Sequence, residues 1–80
     1  MIRARVTVTL KEGVLDPQGK AIEGALSTLG FAGVGEVRQG KVFDIELDGD
    51  DRKKATGELN AMCEKLLANT VIEDFAVELL

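Results

Sequence analysis

Residues 10–19 read Leu-Lys-Glu-Gly-Val-Leu-Asp-Pro-Gln-Gly and form a predicted junction between a strand and a helix. Asp16 stands where a helix N-cap is expected, because its carboxylate can accept a hydrogen bond from an amide that has no intrahelical partner. Pro17 suits the first helical position, since its missing N–H would have had no partner there. The junction is therefore predicted to end the first strand and begin the first helix.

The segments on either side of the junction have clear periodicity. Residues 2–10 alternate between apolar and polar side chains, which predicts a half-buried strand. Residues 17–29 carry apolar side chains at helical spacing, and Gly30 can supply the left-handed residue that often ends a helix. Phe31 is then placed to pack back on Leu26. The predicted apolar stripe of this helix comprises Ala21, Ile22, Ala25, Leu26 and Leu29.

The second half of the chain predicts a hairpin, a helix and a strand. The hairpin covers residues 34–47 with a turn at Gln39-Gly40, and its register depends on whether the loop has two residues or more. The helix covers residues 51–68, with an apolar stripe of Ala55, Leu59, Met62 and Leu66 and a left-handed stop at Asn69. The last strand covers residues 71–79 and places Phe75, Val77 and Leu79 on one face.

This βαββαβ order favours a single α+β domain over residues 1–80, a two-layer sandwich of ferredoxin-like type. Four antiparallel strands would carry both helices on one face. The opposite face would carry short or β-branched side chains, which suit either solvent or pairing with a second copy of the chain. These residues are Thr7, Thr9, Val37, Val42 and Ala76.

Composition limits what the chain can do. Cys63 is the only cysteine and histidine is absent, which excludes an internal disulfide and the commonest metal ligands. The net charge of −4 disfavours nucleic acid as a partner. Arg3 and Arg5 interrupt the N-terminal apolar stretch, and no run is long enough to span a bilayer. We therefore expect a cytoplasmic protein that binds neither nucleic acid nor membrane.

No group of residues predicts a catalytic, cofactor or metal site. The acidic residues Asp48, Asp50 and Asp51 lack the further oxygen ligands of a calcium loop, so a solvated loop with a helix cap is favoured. Cys63 lies beside an apolar stripe with no histidine to activate it, which favours core packing. An anion at the first helix start is disfavoured because Asp16 occupies that position.

Three blocks, in order along the chain, resemble the PurS family, the small subunit of phosphoribosylformylglycinamidine synthase. The first is the junction, the second is Val-Arg-Gln-Gly-Lys at residues 37–41, and the third is Met-Cys-Glu-Lys-Leu-Leu-Ala-Asn-Thr-Val-Ile-Glu-Asp at residues 62–74. The resemblance implies a non-catalytic subunit in purine biosynthesis that bridges an ATP-dependent synthase subunit and a glutaminase subunit. It also implies support for ammonia transfer, and it favours self-association as a dimer or tetramer through the outer face of the sheet. ATP, magnesium and glutamine would belong to the partner subunits.

Several residues in the matching blocks have no evident role in an isolated domain. Capping accounts for Asp16 and Pro17, but it does not account for their neighbours, which we therefore expect to contact other subunits. The predicted interface residues are Lys11, Glu12, Gly13, Val14, Gln18, Arg38, Lys41 and Asn69. The alternative is a small-molecule-sensing regulatory domain that acts as a dimer, with Gly13 and the Gly33-Val34-Gly35 segment as ligand loops.

Overall fold

The computed structural model describes residues 1–80 and contains a three-stranded antiparallel sheet in the order β2-β1-β3. The strands are β1 at Ile2–Leu10, β2 at Gly40–Leu47 and β3 at Glu73–Leu79. Val6 is paired with Phe43 on one side and with Val77 on the other. Because paired residues in an antiparallel sheet point to the same face, these apolar residues define the inner face.

Two helices accompany the sheet. Helix α1 covers Pro17–Thr28, and helix α2 covers Arg52–Met62 before continuing as one π-helical turn at Cys63–Leu67. Helix α1 ends with Gly30 at φ 98° and with backbone bonds from Phe31 to Leu26 and from Gly30 to Ser27. That arrangement is the Schellman motif, so the predicted C-terminal stop is confirmed. Neither helix is long and apolar enough to cross a membrane.

The core lies between the inner face of the sheet and α2. Alternation along β1 buries Ile2, Ala4, Val6 and Val8, while Leu10 and the inner residues of β2 and β3 are half-buried. Phe43 and Phe75 pack against this core as the sequence predicts. The buried apolar residues are Ile2, Ala4, Val6, Val8, Ala55, Leu59, Cys63 and Ala68.

Helix α1 does not lie on its own sheet, so the predicted packing of both helices on one face is wrong. Its contacts with the strands and with α2 are few, and the molecule is 49 Å long. The radius of gyration is 16.1 Å, whereas the scaling for compact domains gives about 12 Å at this chain length. Ala21, Ile22, Ala25 and Leu29 are exposed, and Leu26 is half-buried. Phe31, which the sequence predicts to pack back on Leu26, is also exposed.

The predicted hairpin at residues 34–47 is wrong as well. Residues 34–39 form no strand, Gln39-Gly40 is not a hairpin turn, and the sheet has three strands rather than four. Val37 therefore lies in the connection between α1 and β2, not on the outer face of the sheet. The reason is that its amide donates to the Glu23 side chain, at 2.8 Å, instead of to a neighbouring strand.

The second helix begins as predicted and ends differently. Asp51 caps it by accepting a hydrogen bond from the Lys54 amide at 3.1 Å. The π-helical turn widens the helix after Met62, and Cys63 and Ala68 face the core while Leu66 points outward. Asn69 is not left-handed, because glycines alone have positive φ in this chain. Its side chain instead accepts from the Val71 amide at 3.2 Å.

Candidate interaction site at the junction

Asp16 joins the start of α1 to the start of β2. One carboxylate oxygen accepts from the Gly19 amide at 2.9 Å, which is the predicted N-cap bond. The other accepts from the Gln39 amide at 2.7 Å, 23 residues along the chain. Amide donation from Gln39 and Gly19 lowers the pKa of Asp16, because both bonds favour the charged carboxylate. Asp16 is 6% exposed, so the carboxylate that caps α1 also forms a buried connection between α1 and the start of β2.

Arg38 connects the same region to the end of β1. Its guanidinium donates to the backbone oxygen of Lys11 at 3.1 Å and to that of Leu10 at 3.4 Å, and it pairs with Glu36 at 3.3 Å. The guanidinium carries several N–H donors in a fixed fork, so it can reach two successive carbonyl groups at the end of β1 together. The Lys11 oxygen also accepts from the Val14 amide at 3.0 Å. Arg38 therefore fixes the exit of β1.

Helix α1 is held to residues 31–39, here called the arm, through a close approach of backbone. Glu23 accepts from the Val37 amide at 2.8 Å and pairs with Lys20 at 3.4 Å. Gly19 lies against the Val37 carbonyl, where a Cβ atom would have no room. Glycine is required at this position because the helix backbone and the arm are in direct contact.

Glu73 performs a similar role at the start of β3. One of its carboxylate oxygens accepts from the Asn69 amide at 2.7 Å, and the other lies 3.6 Å from the Lys41 ammonium group. The Lys41 ammonium also lies 6.0 Å from the centre of the Phe43 ring. Glu73 thereby connects the loop after α2 to the first residues of β2 across the end of the sheet.

These groups surround a cavity of about 380 Å³ at the end of the sheet. Its polar lining includes Asp16, Gln18, Gln39, Lys41 and Glu73. Both carboxylates in it accept hydrogen bonds from backbone amides, and Glu73 also pairs with Lys41. The arrangement organises this end of the chain and presents polar groups at its surface.

The remaining reactive candidates have structural roles. Cys63 is buried in the core, and burial raises the pKa of its thiol, which keeps it protonated and unreactive. Asp51 is the N-cap of α2, as expected from the sequence.

The model of the family "PurS: Phosphoribosylformylglycinamidine (FGAM) synthase" matches residues 3–80. The chain belongs to the PurS family. The PurS subunit of phosphoribosylformylglycinamidine synthase from Mycobacterium leprae is 52% identical over 79 residues, which cover 96% of this chain and 94% of that protein.

Solved PurS structures share the fold. The crystal structure of PurS from Methanocaldococcus jannaschii superposes with a TM-score of 0.91 at 42% identity, covering 100% of this chain and 96% of that one. A chain in the structure of PurLQS from Thermotoga maritima matches with a TM-score of 0.90 at 30% identity, covering 99% and 96%. In that assembly a PurS-like chain is associated with the other synthase subunits.

The PurS chain brings most of the predicted interface residues to one end of the sheet. Arg38 contacts Lys11, and Lys41 connects through Glu73 to Asn69. Gln18 lines the junction cavity, while Glu12, Gly13 and Val14 form the turn beside it. Val14 is half-buried and Gly13 has φ 88°.

Sequence reasoning missed Glu23 and Glu73, which accept backbone hydrogen bonds in this PurS chain. Helical spacing assigns Glu23 to a solvent-facing position, whereas alternation puts Glu73 on the same face as Phe75, Val77 and Leu79. Their carboxylates accept from the Val37 and Asn69 amides, which lie outside the regular elements, and periodicity does not encode those contacts. The one usable signal was the density of charged and glycine residues around residues 36–41.

Proposed function

We propose that this chain is the non-catalytic small subunit of phosphoribosylformylglycinamidine synthase. It bridges the ATP-dependent synthase subunit and the glutaminase subunit and supports ammonia transfer between them. The observation that carries the proposal is the match, along essentially the whole chain, to a chain of the PurLQS assembly. A bridging role needs exposed, well-ordered surface, and it needs no acid–base group of its own.

The junction end is the surface that we assign to contact with the other subunits. Asp16, Arg38 and Glu73 hold the backbone there in one conformation, so little ordering remains to be done on binding. Glu12 and Gln18 stay exposed on this rigid support. Rigid support with exposed polar residues is the combination that a specific protein interface requires.

The chemistry of the proposed complex takes place on its partners. ATP and magnesium activate the amide oxygen of formylglycinamide ribonucleotide on the synthase subunit, and glutamine is hydrolysed on the glutaminase subunit. Ammonia then displaces the activated oxygen and gives formylglycinamidine ribonucleotide, with ADP, phosphate and glutamate. This chain contributes the assembly in which ammonia passes between the two sites.

Reconstitution of the synthase with and without this chain tests the proposal. We expect glutamine-dependent amidine formation to be lost without the chain. Activity with a high concentration of free ammonium salt should persist, because the synthase subunit retains its own site. Unchanged glutamine-dependent activity, together with the absence of a ternary assembly by size-exclusion chromatography, would contradict a bridging role.

A matched pair of charge reversals tests the assigned surface. Glu12→Arg changes the turn beside the junction, whereas Asp50→Arg makes the same change of charge in the loop before α2, at the other end of the sheet. We expect Glu12→Arg to raise the dissociation constant of the ternary assembly at least about tenfold, because the groups that face Glu12 on a partner would repel the reversed charge. We expect Asp50→Arg to leave that dissociation constant unchanged. Equal behaviour of the two variants would move the interface elsewhere.

A further inference from the structure

Helix α1 and the arm leave the sheet and return to it at neighbouring points. Residues 17–39, here called the α1 unit, follow the junction after β1 and end where β2 begins. Gly40, the first residue of β2, pairs with Thr9 near the end of β1. Every strand pair of the sheet lies outside the α1 unit. The unit can therefore detach without breaking the β1–β2 ladder that holds its two ends together.

Little apolar burial fixes the α1 unit to the rest of the chain. No residue of the unit packs in the core between the sheet and α2. Gly19 is the only buried residue of α1, whereas α2 buries Ala55 and Leu59. Within the arm, Val37 is half-buried and the other residues are exposed. Because burial of apolar surface is the dominant favourable contribution to folding, the α1 unit lacks the attraction that fixes α2.

Hydrogen bonds from three side chains, here called the junction clamp, hold the α1 unit in place. Glu23 accepts from the Val37 amide, which joins α1 to the arm. Asp16 accepts from the Gln39 amide, which joins the junction to the arm. Arg38 donates to the carbonyl groups that end β1, which joins the arm to the sheet. Isolated helices shorter than about 12–15 residues are marginal in water, and α1 has 12 residues, so loss of the clamp should melt the helix as well.

We propose that the α1 unit opens and closes as one cooperative unit while the sheet and α2 stay folded. The opened state loses α1 and the junction clamp together, and it keeps the core around Val6, Val8 and Leu59, which are completely buried. Proteins open in contiguous units of this kind, and regions with few buried apolar contacts open at the lowest cost. The opening is a property of the chain itself and does not depend on the synthase or glutaminase subunits.

Native-state amide hydrogen exchange, measured by NMR on the full chain in its own state of association, tests the opening. The amides of Leu29, Val37 and Gln39 are hydrogen-bonded and report on the α1 unit. Their protection factors should agree within about threefold and lie at least about tenfold below those of Val6 and Val8 in β1. Unprotected amides throughout residues 17–39 would overturn the proposal, because the closed unit would then not be populated.

A core truncation separates opening of the unit from unfolding of the whole chain. Leu59 lies in the part that stays folded, so Leu59→Ala destabilises the closed and opened states equally. Protection in β1 should fall at least about tenfold, while protection in the α1 unit should stay within about twofold of the wild-type value. Val77→Ala, a smaller truncation beside the core, should give the same contrast if Leu59→Ala does not fold. An equal loss of protection in β1 and in the α1 unit would overturn the proposal, because the unit would then open only by global unfolding.

Removal of a clamp carboxylate should give a different pattern. The bond from Val37 to Glu23 exists only in the closed state, which is the starting point of both openings. Glu23→Ala should therefore lower protection about tenfold in the α1 unit and by the same factor in β1. Glu64→Ala is the matched control, because it removes an exposed carboxylate outside the α1 unit, and it should change neither. Unchanged protection of the α1 unit in Glu23→Ala would overturn the role of the junction clamp.

Discussion

The two helices of this chain begin alike and end in different environments. Asp16 caps α1 and Asp51 caps α2, each by accepting an amide from the first turn. Helix α2 buries Ala55 and Leu59 against the sheet. Helix α1 carries a comparable apolar stripe and leaves it exposed. The difference therefore does not lie in the helices themselves.

The connections that flank each helix account for the difference. The Asp51 cap binds only its own helix, so α2 is free to pack wherever its apolar stripe directs it. The Asp16 cap also binds Gln39, and the arm is bound in turn by Arg38 and Glu23. A few charge-assisted hydrogen bonds to backbone are thus enough to direct an amphipathic helix away from its own core.

The largest effect is expected from truncation of the α2 stripe. Leu59 is completely buried, so Leu59→Ala should lower the free energy of unfolding by about 2–5 kcal/mol through lost contacts and a residual cavity. The loss, measured by urea denaturation, should be independent of protein concentration.

Leu29→Ala on α1 is the matched truncation. Because Leu29 is exposed within one chain, we expect its cost to be within about 0.5 kcal/mol in dilute protein, as for other surface substitutions. A concentration-independent cost similar to that of Leu59→Ala would show that α1 is part of the internal core, and would remove the contrast between the helices.

A smaller effect is expected where α1 meets the arm. In Gly19→Ala the new methyl group would collide with the Val37 carbonyl, and the free energy of unfolding should fall by about 1–3 kcal/mol. Gly24→Ala is the control, because nothing lies within 4 Å of its Cβ position. That variant should gain about 0.5–1 kcal/mol from helix propensity. If both variants were stabilised, the close approach of α1 and the arm would be wrong.

Asp16→Asn should produce the smallest change in stability, and the size of that change should depend on pH. The folded-state pKa of Asp16 lies below its ordinary value of about 3.9. The charged carboxylate therefore stabilises the fold above that pH, and its contribution is lost as pH falls through the lower folded value. At pH 7 we expect the melting temperature of the variant to be lower than that of the wild type, because a neutral amide oxygen accepts the Gln39 and Gly19 amides less strongly than a carboxylate does.

The difference between wild type and Asp16→Asn should shrink as the pH is lowered from 5 to about 2, because the wild-type carboxylate becomes protonated. Differential scanning calorimetry across this range measures it. A difference that stayed constant with pH would mean that the charge of Asp16 does not act through the Gln39 and Gly19 amides.

Local signals predicted the elements but not where they pack. Alternation identified β1, helical spacing identified α1 and α2, and the caps at Asp16 and Asp51 were confirmed. The predicted first strand of the hairpin, at residues 34–38, is absent because the Val37 amide binds Glu23. The prediction that Leu66 faces the core is wrong because a π-helical turn changes which residues face the core. Both errors come from contacts or geometry that periodicity does not encode.

The sequence alone determined the first and last strands, both helices, the cap of each helix and the resemblance to PurS. Those properties depend on residues that are close along the chain or on composition, so one sequence suffices for them. Only the tertiary structure decided the second role of the junction, because the bond from Asp16 to Gln39 spans 23 residues. That bond, with those of Glu23 and Arg38, holds α1 away from its own sheet.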